Sequence, residues 1–242
     1  MNRMILNELK DFDIVLDDES IMEIKITDLL NEEKCLSFLQ KQMTEIQAPN
    51  LSVAASMFSK RYAYLVVSST LYCMAEFNCV LNFPVSACTL SKERKLCIQE
   101  DRCKWQEVRN MTREHWRENV LRNLFSSHIT PVLDILKKTS RISSAILWEN
   151  IATRINSIYE KTLAKELNRD KIERLNSDFN YLENASGELF NLNENPLKRY
   201  LKIGEELKTN PSRRTCCMYY KLMKNLEEIS HCGNCPIRSK QI

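Results

Sequence analysis

Apolar positions recur along this chain with two periods, and the helical one dominates. The first eighteen residues mix charged and apolar side chains without a sustained period and are expected to pack loosely. From about Ser20 to Gln47 the placing of Leu29, Leu30, Leu36, Phe38 and Leu39 is mainly helical. Residues 50–78, NLSVAASMFSKRYAYLVVSSTLYCMAEFN, are apolar on almost every side, which predicts one long buried helix or a helix pair. Strand composition follows in residues 80–90 (VLNFPVSACTL) and 95–100 (KLCIQE), with SKER as the turn between them. Pro84 cannot donate to a ladder, so the first of these strands is expected at an edge or with a bulge.

Helical spacing returns in TREHWRENVLRNLF, where Thr112 is placed to cap the first turn, and continues through ITPVLDILKKT. The clearest amphipathic stretch is SRISSAILWENIATRINSIYEKTLAKEL, with Ile142, Ile146, Ile151, Ile155 and Ile158 near one face. Residues 169–184 are helical but more polar, and GELFNLNENP breaks the pattern. There is no internal repeat. The predicted class is α+β: predominantly helical, with a small antiparallel hairpin or sheet and a separate C-terminal segment.

Composition narrows the chemistry. The chain of 242 residues has only three glycines, Gly187, Gly204 and Gly233. A dinucleotide fingerprint or a phosphate loop cannot be written with glycines so far apart, so binding of NAD(P) or ATP by those routes is excluded. The N-terminus lacks the long apolar run of a signal peptide. The longest apolar stretch, 63–75, falls short of the roughly 20 residues that span a bilayer. The expectation is a cytoplasmic protein without a stable membrane anchor, in which clustered thiols serve metal or redox chemistry rather than disulfides. Charge is uneven: residues 197–242 hold ten Lys/Arg against four Asp/Glu, a balance of +6, while the preceding 196 residues balance at −3. No element reads as a nucleic-acid recognition helix.

That basic tail carries four of the ten cysteines. Cys216 and Cys217 are adjacent, fourteen residues follow, and Cys232 and Cys235 form a Cys-Gly-Asn-Cys hook. Four soft, anionic thiolates suit zinc or an iron–sulfur cluster. Adjacent cysteine side chains converge poorly on one small ion and better on a two-iron target, so the vicinal pair favours iron–sulfur; zinc and free redox thiols remain open at this level. Cys35, Cys73, Cys79, Cys88, Cys97 and Cys103 are scattered and read as small buried hydrophobes. His115, His128 and His231 form no cluster; His231, next to Cys232, is either a solvated loop histidine or a tuner of the site. Trp148, at helical spacing, reads as core.

Arg-Arg-Thr-Cys-Cys followed by a long spacer and Cys-x2-Cys resembles the FhuF-like ferric-siderophore reductases. SRISSAILWENIA, MFSKRYAYLVV and ENPL resemble other parts of that family, so the likeness extends over most of the chain beyond about residue 50. The spacer is longer than in the commonest family form. The C-terminal part of siderophore synthetases shares the domain resemblance, but those enzymes need a large ATP-binding portion and lack this cysteine set.

The resemblance implies an oxidoreductase acting on metal ions. Cys216, Cys217, Cys232 and Cys235 would hold one [2Fe-2S] cluster. A ferric siderophore, of hydroxamate or citrate-hydroxamate type, would be reduced by one electron so that iron is released. An external donor such as ferredoxin or flavodoxin would supply that electron. Arg141, Arg213 and Arg214 are the candidate substrate-binding cations. Residues 1–195 would form the helical domain, with its hairpin near 80–100, and 196–242 the cluster-binding segment packed on it. The alternatives are an iron–sulfur electron carrier for a protein partner, a zinc-stabilised binding protein without catalysis, and a cluster-based sensor.

Overall fold

The computed structural model describes residues 2–18, 22–109, 111–222 and 231–238. Its order is α1 (Asn2–Asp11), β1 (Ile14–Leu16), β2 (Met22–Lys25), α2 (Ile26–Leu29), α3 (Glu32–Glu45), α4 (Leu51–Tyr62), a π-helical segment (Ala63–Ser68) and α5 (Ser69–Phe77). Then come β3 (Cys79–Asn82), β4 (Cys88–Ser91), β5 (Leu96–Ile98), β6 (Lys104–Glu107), α6 (Arg113–Leu124), a second π-helical segment (Phe125–Ile129), α7 (Thr130–Ser140), α8 (Ser144–Leu163), α9 (Arg169–Asn184) and α10 (Glu205–Thr209). The class is α+β and mainly helical. Among the described residues no helix is long and apolar enough to cross a membrane.

Local chemistry explains five of the ten described helix starts. Asn31, Asn50, Thr112, Ser143 and Asn168 each cap a helix by accepting a backbone N–H with the side chain. The predicted cap at Thr112 accepts from His115 N at 3.3 Å. Residues 50–78 do form one long buried run, but it is α4 and α5 joined through a π-helical stretch. The run ends at Asn78, whose left-handed backbone suits a helix C-terminus. α8 packs across α4 and the first π segment, α3 lies against α4 and α7, and α9 covers part of α8.

Three expectations change. The N-terminal residues are not loosely packed: Ile5, Leu9, Phe12 and Ile14 are buried in the main core, and Arg61 Nη2 bonds Asp13 Oδ2 at 2.8 Å. Their apolar positions are few and mostly face inward, Met4 staying exposed. The segment from Ser20 does not start as helix. Its described part opens with β2, where Met22 and Ile24 follow a period of two and pair with β4, and only then turns helical; Ser20 and Ile21 lie outside the described residues. The stretch 80–90 is not one strand. It breaks at Pro84, so β3 pairs with β6 in a two-stranded sheet while β4 enters another. That second sheet has the order β1-β5-β4-β2. β4 and β5 form the expected hairpin around the 92–95 turn, and β1 joins β5 in parallel, which makes the sheet mixed rather than antiparallel.

Candidate functional site

α4 and α8 cross with polar side chains facing each other in an otherwise apolar contact. Asn150 Nδ2 donates to Ser56 O at 3.2 Å and Ser59 Oγ at 2.8 Å. Its Oδ1 accepts from Arg213 Nη1 at 2.7 Å. Glu149, one residue earlier, accepts from Arg214 N at 2.6 Å and Thr215 N at 2.7 Å, and also from the Thr215 hydroxyl. Two consecutive residues of α8 therefore fix the backbone just ahead of the vicinal cysteines. Further along α8, Asn156 donates to Tyr200 O at 3.0 Å and accepts from Lys202 N at 3.1 Å. Lys202 Nζ then donates to Asn210 O and Ser212 O, which closes the loop leading to Arg213.

The cysteine loop continues this scaffold. Ser56 Oγ donates to Cys217 O at 2.8 Å, and Lys60 Nζ lies 3.5 Å from Cys217 Sγ. Met218, with φ of 64°, turns the chain left-handed, and its N–H donates to Cys216 Sγ at 3.3 Å. The hook is closed by Cys235 N to Cys232 O at 3.0 Å and tied back by Arg213 N to Asn234 O at 2.9 Å. Cys217 Sγ and Cys232 Sγ stand 3.5 Å apart. Cys217 and Cys235 are buried, while Cys216 and Cys232 are half-buried. The four thiols lie within electrostatic reach: Cys216 feels Cys217 and Cys235, and Cys232 feels Cys217 and Cys235. The hydrogen bond with Cys232 holds the Cys217 thiol well below its usual range, with Lys60 and Arg213 assisting against burial. The same bond, with burial, pushes Cys232 up. No group of three or more His, Cys, Asp or Glu among the described residues is arranged to hold a single metal ion.

The other candidates sort by location. Arg213 is 7 % exposed and is bonded inward to Asn150, with Nε 3.6 Å from Glu149 Oε2, so it holds the loop rather than meeting an anion in solvent. Arg214 is exposed. Arg141 is exposed and ends α7 in a left-handed conformation, its N–H donating to Lys137 O. Trp148 is buried edge-on to Phe190, as a core residue. His231 stacks on Tyr220, with ring centroids 5.7 Å apart. Of the scattered cysteines, Cys35, Cys73, Cys79, Cys88 and Cys97 are buried and Cys103 half-buried; burial pushes the Cys73 and Cys103 thiols up to about 12, as expected of packing residues.

A cleft of about 390 Å³ opens beside the loop, between α8 and residues 200–213. Arg154, Lys161, Lys202 and Arg213 line it together with Glu149 and Glu160, so cations outnumber carboxylates four to two, and Lys202 and Arg213 are themselves buried.

Residues 92–208 match the model of a family described as ferric iron reductase FhuF-like transporter. This stretch, just under half of the chain, is similar to an FhuF-like domain. No curated protein matches the chain. The matched stretch contains α6 to α9 and most of the cleft wall, including Glu149, Asn150 and Asn156, and stops before Cys216. Ser56, Lys60, Glu149 and Asn150 were not singled out from the sequence, although the first two lie in MFSKRYAYLVV or just before it and the others in SRISSAILWENIA.

Proposed function

We propose that this protein is a cytoplasmic ferric-siderophore reductase, with Cys216, Cys217, Cys232 and Cys235 as the ligands of one [2Fe-2S] cluster. The observation that carries the reading is the meeting of the two cysteine pairs. A tetrahedral metal with sulfur bonds of about 2.3 Å separates two ligand sulfurs by about 3.8 Å, and Cys217 and Cys232 stand 3.5 Å apart. The donor set would let one cysteine from each pair share a metal, and Cys216 and Cys235 would complete the four thiolates. When bound, such a cluster supplies one-electron redox chemistry.

The chain's own residues do the rest. Glu149 and Asn150 hold the loop in register. Lys60 and Arg213 offset the charge of four thiolates, about −2 net for an oxidised cluster. Arg154 and Lys161 in the adjacent cleft, with exposed Arg214, give an anionic ferric complex a cationic approach. Hydroxamate and citrate oxygens are hard donors that hold Fe(III) more tightly than Fe(II), so one added electron loosens the complex and lets iron leave. The electron comes from an external carrier such as a ferredoxin or flavodoxin. Residues 196–242 act as the cluster-binding segment on the helical body of residues 1–195.

Purification without oxygen tests this directly. The protein is expected to be red-brown, with about two irons and two sulfides per chain. It should reduce a ferric hydroxamate when supplied with a reduced ferredoxin. A colourless chain with one zinc, or a cluster that passes electrons only to a protein acceptor, would sink the reductase reading.

A further inference from the structure

Lys60 stands on the last turn of α4, one turn beyond Ser56, so both side chains project from the same face. Both meet Cys217: Ser56 at the carbonyl, at 2.8 Å, and Lys60 at the sulfur, at 3.5 Å. The ammonium also lies 5.2 Å from the ring centroid of Tyr219. Among the described residues Lys60 makes no salt bridge. Its charge faces a sulfur and an aromatic ring, not a carboxylate.

Resting on the cluster reading above, we propose that Lys60 sets the reduction potential of the cluster through Cys217 and raises it. One electron enters from the external one-electron donor, and one leaves to substrate Fe(III), giving Fe(II). No bond or proton is exchanged at Lys60. Each added electron takes the charge within the four thiolates from about −2 to about −3. A fixed cation beside one ligand sulfur therefore favours the reduced form, and the N–H to sulfur bond acts in the same direction. Ser56 keeps Cys217 from moving away from the charge. Lys60 is thus a positioning and tuning residue: it governs how readily the donor loads the electron that the substrate takes.

Lys60→Met keeps the aliphatic stem and removes the charge, while Lys60→Arg keeps a charge. Iron and sulfide content are measured for each chain, and the midpoint potential is read by titration followed by EPR. Lys60→Met should keep its iron and sulfide and shift the equilibrium about tenfold toward the oxidised form, a fall of 59 mV for a one-electron couple. Lys60→Arg should stay closer to the parent. A fully loaded Lys60→Met with the parent's potential overturns the assignment. Lys60→Gln serves as a second neutral variant; if both neutral variants lose the cluster, Lys60 is an assembly residue and the assignment again fails. A parent chain without any cluster overturns the proposed function itself, whereas a loaded parent with no shift in the variants overturns only the role of Lys60.

Discussion

Glu149 shows how one side chain can order the loop ahead of a cysteine pair. Its carboxylate is buried in α8 and receives two backbone N–H groups and a hydroxyl from residues 214 and 215, with the Arg213 guanidinium alongside. Removing the acceptor strands two amides and a buried cation at once. Breaking a buried charge pair by removing one partner costs about 3–5 kcal/mol. Glu149→Ala is expected to lose stability on that scale and to lower the iron bound per chain; Glu149→Gln should fall between, because the amide oxygen still accepts but the charge is gone. Urea unfolding and iron analysis read both effects. Parent-like values for the alanine variant would mean that other contacts order the loop. The two cysteine pairs were visible in the sequence from residue type and close spacing, and the fold brings Cys217 and Cys232 together. Their supports were not visible there. Glu149 meets the loop across 65 positions and Ser56 across 161, and no local pattern encodes a contact of that range.

At the scale of elements, legibility followed locality. The cap at Thr112 and the polar helix Arg169–Asn184 depend on neighbouring residues, and both appear where the pattern put them. β1, β2 and β6 are three or four residues long and exist because distant strands pair with them, so their sequences carry almost no signal. The two π-helical segments were equally silent. They are joined by a buried bond: Tyr62, just before the first, lies with Oη 2.6 Å from Nε2 of His128 in the second. His128 Nδ1 lies 3.2 Å from Phe83 O. A carbonyl only accepts, so Nδ1 carries the proton and Nε2 accepts from the Tyr62 hydroxyl. Burial lowers the His128 pKa from 6.5 to about 4. The unfolded chain therefore holds more protons than the folded one between those values, and stability falls as pH falls through that window. The loss is up to about 3 kcal/mol, at 1.36 kcal/mol per unit. His128→Gln can keep both bonds without titrating. Its stability between pH 7 and pH 4.5 should fall less than the parent's in urea unfolding, and equal slopes would remove His128 as the source.

Over the whole molecule, folding separates the basic residues into buried and exposed sets. The +6 balance of residues 197–242 was plain in the sequence and reads there as one basic patch. Folding divides it. Arg213 turns inward to Asn150, and Lys202 closes a backbone loop, so both positive charges are fixed structural parts beside the cysteines. Arg214 stays exposed one residue away, next to a cleft walled by Arg154 and Lys161. On the proposed function, encounter with an anion would depend on Arg214, and loop integrity on Arg213. Exposed charges act over about 10 Å at 0.1 M salt and steer association by roughly tenfold or more when clustered. Arg214→Ala is expected to slow reduction of an anionic ferric citrate-hydroxamate by roughly three- to tenfold at low salt. The effect should shrink at high salt and be smaller for a neutral ferric trihydroxamate. Arg213→Ala should behave differently, losing thermal stability and iron content and slowing both substrates alike at every salt concentration. Stopped-flow reduction rates for the two substrates across ionic strength, with the midpoint potential measured in each variant, separate these outcomes. An Arg214→Ala chain slowed equally for both complexes, without salt dependence, would show that the exposed arginine acts through the loop or the potential and not through approach.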